Sequence, residues 1–202
     1  QIANVAAEHL VQPVVIDNKP GAGATLAAME LTKAPADGYT ILCGDSATYA
    51  VNTHVYTKLA YDPSTFAPIT LTIRGVLALS VSPARVPAKD LQQLIAYARA
   101  NPDKLSYGTP GNASPHHLAM ESFKLRAGGL SIQHIPYKGE APAMQDVISG
   151  NLDMMFSGVR IANAQASTGK IVTLAVSGPK RNPVSPNVTT LDEAGLKGFL
   201  YQ

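Results

Sequence analysis

From residue 89 to residue 178 the chain alternates helix-patterned and strand-patterned segments with short turns between them, and this rhythm constrains the fold more than any other feature. In "KDLQQLIAYARANP" (89–102), Leu91, Leu94, Ile95 and Ala98 fall on one helical face, and Asn101-Pro102 ends the run. Strand-like segments at 105–109, 131–137 ("SIQHIPY"), 152–158 ("LDMMFSG") and 170–178 ("KIVTLAVSG") are separated by helical patterns at 114–127, 141–150 and 159–168. Such alternation predicts an α/β architecture with largely parallel sheets, because parallel neighbours need a crossover long enough to hold a helix. The unbroken apolar run "IVTLAV" predicts a strand covered on both faces.

The same alternation is looser before residue 89. "PVVIDN" (13–18), "YTILCGD" (39–45) and two runs of "APITLTIRGVLALSVSP" (67–83), meeting near Gly75, are strand-like; "PGAGATLAAMELTKA" (20–34) and "VNTHVYTKL" (51–59) are helical. Cys43 is expected to be a packed thiol inside its strand. Ile2, Val5, Ala6 and Leu10 share a helical face with no capping residue ahead of them, so the chain is expected to begin inside a helix. At the other end "GLKGFLYQ" stops on an apolar run, and the whole reads as a piece of a larger protein. The Pro/Asn-rich stretch 178–195 reads as an ordered surface loop ending in a short helix that Thr190 or Asp192 caps.

Composition narrows the function. Sixteen basic and 14 acidic residues give a net charge of +2, too balanced for nucleic acid or an anionic membrane to be the main partner. The absence of Trp argues against stacking platforms for single strands. A single cysteine excludes intrachain disulfides and thiolate metal clusters. No apolar run approaches the roughly 20 residues of a membrane-spanning helix. "QIANVAAEHLV" has neither the basic start nor the apolar core of a signal peptide, which leaves open whether a precursor carries one.

In α/β sheets, ligands bind beyond the carboxyl ends of the strands, which ranks the loops at 44–48, 108–114, 137–142 and 156–160 first. At 108–114, "GTPGNAS" opens a helix. First-turn N–H groups favour an anion there, and Thr109, Asn112 and Ser114 can add side-chain hydrogen bonds; ordinary N-capping by Asn112 or Ser114 would need no ligand. It is not a Walker loop. His116 and His117 sit about 100° apart on the helix and cannot chelate one metal together, although His117 and Glu121 share a face. Ser114 lies near these histidines in sequence, but G-x-S-x-G is absent. Asp153, mid-strand, reads as a structural hydrogen-bonding group. "PGAGATLAAMEL" only loosely matches a dinucleotide fingerprint, because Leu26 holds the last glycine position.

Taken together, "VVIDNKPGAGATLAA", "APADGYTIL", "LAYDPSTFAPIT", "LSYGTPGNASPHHLAMESF", "IQHIPYKGEAPAMQDVISGNLDMMF" and "LAVSGPKRNPVSPNVTTLDEAGLKGF" resemble, in order and spacing, the substrate-binding proteins of tripartite tricarboxylate transporters, the Bug or TctC-like group of bacterial periplasmic receptors. The resemblance implies a type II periplasmic-binding-protein fold, two lobes with mostly parallel sheets joined by hinge strands near 77–81 and 174–177. Lobe one would comprise residues 1–78, lobe two 79–175, and a return crossing to lobe one 176–202. The usual opening strand with its P-x-x-P-G-G loop and a C-terminal extension are missing, so lobe one is expected to be incomplete and binding by this chain alone weak or absent. "FSGV" stands where many relatives carry Asp or Asn followed by Pro.

The resemblance also implies the site. Ser46, Ala47 and Thr48 from lobe one would face Thr109, Asn112, Ala113 and Ser114 from lobe two, with Tyr137, Lys138 and Phe156 forming the floor around a small carboxylate. The expected protein is a periplasmic, monomeric receptor without catalytic residues, metal or cofactor, handing its ligand to membrane subunits of the transporter. The alternatives are a ligand sensor for a signalling kinase and a hydrolase or transferase using Ser114 or His117.

Overall fold

The patterned segments become elements in chain order: α1 (Ile2–Leu10), α2 (Thr25–Lys33), α3 (Asn52–Val55) continuing a wide turn over Ala47–Val51, β1 (Leu77–Val81), α4 (Leu91–Ala100), β2 (Leu105–Thr109), α5 (Pro115–Arg126), β3 (Ile132–Pro136), α6 (Glu140–Ser149), β4 (Met154–Gly158), α7 (Val159–Ala166) and β5 (Val172–Val176). The structure is a computed structural model and describes residues 2–201.

The five strands form one sheet in the order β3-β2-β4-β1-β5. β2 is parallel to β3 and β4, while β1 is antiparallel to both β4 and β5. Four strands therefore point one way and β1 alone opposes them, so the sheet is mostly parallel, as the helical crossovers require. Side-chain alternation sends Leu77, Leu79 and Val81 of β1 to one face and Ala78 to the other. The first face packs on α4, α5 and the 191–199 segment through Leu91, Leu94, Met120, Phe123 and Phe199. The second packs on α6 and α7 through Met144, Val147, Val159 and Ala162.

Local chemistry sets the ends of these elements. Asp90 caps α4 by accepting the Gln93 N–H at 2.8 Å, while Gln93 Oε1 accepts the Lys89 N–H at 3.0 Å. The buried face of α4 is Leu91, Leu94, Ile95 and Ala98, as its periodicity predicts. Gly150 ends α6 at φ +77. After β5, Thr190 and Glu193 form a reciprocal capping box, Thr190 Oγ1 accepting the Glu193 N–H at 3.0 Å and Glu193 Oε2 the Thr190 N–H at 2.9 Å. Asp153 is structural: it accepts from Arg85 Nε at 2.8 Å and from Ser106 N and Oγ at 2.7 and 2.8 Å.

The first 76 residues depart from expectation. Residues 13–18, 39–45 and 67–75 form no strand, and Val15, Ile16, Ile41, Ile69, Leu71 and Ile73 are exposed. A strand needs a neighbour for its N–H and C=O groups, and among the described residues these runs have none. Cys43 is accordingly exposed rather than packed. Helical structure also begins near residue 47 and ends at Val55, four residues earlier than the expected 51–59. A small polar core ties this part together: Asn52 Nδ2 donates to Gly23 O (2.9 Å) and Tyr61 Oη (3.1 Å), and Tyr61 Oη donates to Thr48 O (2.7 Å).

Candidate functional site

β2 and β3 run parallel and end together, so the chain leaving each strand meets the other at the carboxyl edge of the sheet. The Tyr137 N–H donates to Thr109 O at 2.9 Å and the Gly139 N–H to Pro110 O at 3.3 Å, joining loops 109–114 and 137–139. Gly111 (φ +150), Ala113 (φ +60) and Gly139 (φ +116) supply the tight backbone bends.

The Gly-rich loop before α2 lies directly opposite. Gly23 has φ +60, and a Cβ there would stand 3.0 Å from Asn112 O and 3.1 Å from Tyr56 Oη. Glycine is thus required both by conformation and by close approach of the two halves. The glycines of "PGAGA", which looked like a weak dinucleotide motif, instead let the first half of the chain touch loop 109–114. Their signal was the punctuation itself, without a partner to assign it to.

Two adjoining cavities lie along this contact. One, of about 220 Å³, has Gly21–Gly23 and Tyr56 on one side and Pro110–Asn112 and Pro136–Lys138 on the other. The second, of about 170 Å³, adds Lys19, Asp45 and Ala47 against Ser114 and Gly139. Asn112, Tyr137 and Lys138 therefore line the first cavity, and Ala47 and Ser114 the second. Thr48, Thr109 and Ala113 are buried behind the lining, and Ser46 is exposed. Phe156 requires a correction: it is fully buried and stacks on Phe199 at 6.4 Å, on the core side of β4, because alternation turns it away from the strand end.

Most helix-start donors that the sequence offered to an anion already have internal partners. Asp45 Oδ1 accepts the N–H groups of Ala47 (3.0 Å) and Thr48 (3.2 Å), capping that turn with a carboxylate. Ser114 Oγ accepts the His117 N–H at 3.3 Å, and the His117 ring accepts the Ala113 N–H at 3.1 Å. The ordinary capping role thus holds for Ser114. The Gly111 N–H goes to Thr109 Oγ1 at 3.3 Å. By contrast, among the described residues the Asn112 N–H and side-chain amide make no hydrogen bond and Lys138 makes no ion pair, and both residues line the larger cavity.

The titratable groups nearby act as scaffolding. Tyr137 Oη donates to Asp146 Oδ2 at 2.6 Å; burial and that carboxylate push its hydroxyl up to about 12. Glu140 Oε1 accepts the Gly158 N–H at 2.6 Å and so ties the start of α6 to the end of β4. His116, 3.9 Å from Glu140, is held below the usual imidazole range chiefly by burial. Ser114 Oγ meets a backbone N–H rather than an imidazole nitrogen, so Ser114 and His117 are not arranged as nucleophile and base. No group of three His, Cys, Asp or Glu able to hold a metal occurs among the described residues. Nor is any helix among them long and apolar enough to cross a membrane. Sequence reasoning ranked the loops that hold Asp45 and Glu140 but gave neither residue a role, and it did not bring Gly21–Ala24 to this junction, since nothing local marks a residue as facing a distant loop.

The family model described as tripartite tricarboxylate transporter family receptor matches residues 1–202. A Cupriavidus necator protein of the UPF0065 group is 36% identical over 195 residues, covering 96% of this chain, and the chain spans 58% of that protein's length. An R. palustris protein solved with adipate superposes with a TM-score of 0.94 at 36% identity, over 98% of this chain and 66% of its own. MatC from Rhodopseudomonas palustris with bound malate gives a TM-score of 0.88 at 30% identity, over 98% and 67% respectively.

Proposed function

The chain belongs to the tripartite tricarboxylate transporter receptor family, and from that membership we propose that it captures a small organic carboxylate between two lobes and delivers it to the membrane subunits of a transporter of that type. The observation that carries this reading is the pair of donor groups in the larger cavity. Asn112 and Lys138 face a glycine-lined opening in which their N–H groups have no acceptor among the described residues, and an anionic oxygen would satisfy them. Similarity to proteins solved with adipate and with malate supports a dicarboxylate as the first class to test.

Residues 1–78 and 176–202 would form lobe one and 79–175 lobe two, with β1 and β5 as the crossings. Their adjacency supports this: Leu77 N donates to Ser177 Oγ at 3.0 Å and Ser177 N to Leu77 O at 2.8 Å, so both crossings would bend at one place. Closure would be favoured by contacts a ligand makes only when both lobes reach it. The family supports a periplasmic location and a binding rather than catalytic role; we take the receptor to act as a monomer. Ser46, Ala47 and Thr48 would contribute by shaping lobe one beside the ligand, with their turn already capped by Asp45.

Calorimetric titration of adipate and malate into the natural full-length chain tests the reading. Binding that weakens by about tenfold or more in Asn112→Leu and in Lys138→Ala supports it, each variant removing a charge-assisted hydrogen bond. Unchanged affinity in both variants refutes the site.

A further inference from the structure

Behind the proposed carboxylate loop lies a cluster of three rings that the carboxylate reading leaves without a role. His117 of α5 and His134 of β3 lie face to face, with centroids 4.0 Å apart and planes 12° apart, and Tyr107 of β2 lies beside the pair, 4.9 Å from His134 and 6.2 Å from His117. Each imidazole reaches one end of loop 109–114. His117 Nδ1 accepts the Ala113 N–H at 3.1 Å, and His134 Nε2 lies 2.7 Å from Thr109 Oγ1. Thr109 Oγ1 accepts the Gly111 N–H at 3.3 Å and lies 3.1 Å from Gly111 O. Between these two anchors, Gly111 and Asn112 face the cavity. Ala113 holds φ +60, a region an alanine occupies only when its surroundings impose it.

The two anchors respond differently to a proton. Only an unprotonated Nδ1 can accept the Ala113 N–H, so His117 carries its hydrogen on Nε2, and a proton on Nδ1 would set donor against donor. The Thr109 hydroxyl both donates and accepts, so His134 keeps a partner in either state. The groups facing the stack are Glu121 and Lys124 from α5 and Tyr107 from β2. Glu121 Oε1 accepts from Lys124 Nζ at 2.7 Å and from the Tyr107 hydroxyl, and Lys124 Nζ lies 5.4 Å above the Tyr107 ring. Burial is the largest influence and holds both imidazoles below their usual range; for His134 the neighbouring His117 charge adds to it, leaving that ring at about 4.

We propose that His117 and His134 are positioning residues for the carboxylate loop: neutral His117 fixes Ala113 and with it the presentation of Gly111 and Asn112, and protonation of His117 releases the loop and weakens ligand binding. The proposal rests on the carboxylate reading of the cleft. Neither ring touches the ligand; both act through the loop.

The test uses the natural full-length chain with adipate and malate as probes, titrated calorimetrically from about pH 7.5 to about pH 4.5, across the span where a lowered imidazole gains its proton. In His117→Asn the Oδ1 takes the place of Nδ1 without titrating. In His117→Ala the acceptor is gone. Wild-type affinity should hold above the usual imidazole range and fall by about tenfold below it. His117→Asn should bind as the wild type does at neutral pH and lose that part of the acid dependence, leaving only what the probe's own carboxyls contribute. His117→Ala should be about tenfold weaker at neutral pH. Nitrogen NMR supplies a ligand-free readout: the Ala113 amide should shift together with the His117 ring nitrogens. Identical pH profiles in wild type and His117→Asn, or an Ala113 amide indifferent to the His117 titration, would overturn the proposal. If neither probe binds wild type at any pH, the carboxylate reading fails, and the Ala113 titration alone decides whether His117 governs the loop.

Discussion

Replacing Gly23 by alanine should act as a wedge between the two halves of the proposed binding cleft. Two costs arise and they can be separated. The residue has φ +60, where a side chain costs roughly 1–2 kcal/mol relative to glycine. The new Cβ would also stand 3.0 Å from Asn112 O and 3.1 Å from Tyr56 Oη, so the neighbours must give by a few tenths of an ångström. Asn112 belongs to the proposed carboxylate loop and Gly23 to the opposing one, so this strain falls on the spacing that a ligand has to bridge. Gly38 is the control: it has φ +85, but a Cβ there meets nothing within 4 Å. Both variants should lower the melting temperature by about 2–4 °C per kcal/mol of backbone strain. Only Gly23→Ala should also weaken adipate or malate binding, by about tenfold if roughly 1.4 kcal/mol is lost in closing the cleft. Calorimetry and thermal melting of the two variants in the full-length chain decide the matter. Equal affinities in the two variants would refute the wedge.

Asp153→Ala should destabilise by about 2–3 kcal/mol in urea unfolding, because it strips Arg85 and the Ser106 N–H of a nearly fully buried acceptor while Arg85 remains half-exposed to water; a loss under about 1 kcal/mol would contradict that role. Gly108→Ala should cost about 1–3 kcal/mol, since its Cβ would meet Leu152 Cδ2 at 2.4 Å in a packed layer, and an unchanged urea midpoint would show that the layer can yield. Stability should also fall in acid through His134, whose folded value is lowered from 6.5 to about 4. The unfolded chain then binds more protons, so this contribution is complete above the unfolded value and disappears as pH falls through the folded one; it amounts to roughly 1–2 kcal/mol after allowance for a ring only half-buried. His134→Gln should flatten that part of the stability–pH curve, and an unaltered slope would assign it elsewhere.

The sequence carried the second half of the fold well because its signals there are local. The α4 face of Leu91, Leu94, Ile95 and Ala98 and the ends of β2 and α5 follow from periodicity, Asp90, Ser114 and Pro115. The first half failed where a pattern needs a partner. "PVVIDN" and "YTILCGD" have strand composition, yet strand formation depends on a neighbour that no local pattern reports. The direction of β1 was equally hidden, since its residues "LALSV" read the same in either sense of pairing. In the site, loop 109–114 was legible from glycines at a strand end. Which of its N–H groups remain open was not, because Thr109 Oγ1 and His117 claim those of Gly111 and Ala113 through contacts that composition does not encode. Phe156 was misplaced for a simpler reason: the strand end was assigned to the cleft, and alternation puts that ring in the core.

The most direct test is to locate a carboxylate ligand crystallographically in the full-length protein, whether carried through purification or added as adipate. Ligand oxygens should lie within about 3 Å of the Asn112 N–H or side-chain amide, between Gly21–Gly23 on one side and Pro136–Lys138 on the other. A ligand held elsewhere, with the Asn112 and Lys138 donors turned to solvent, would contradict it.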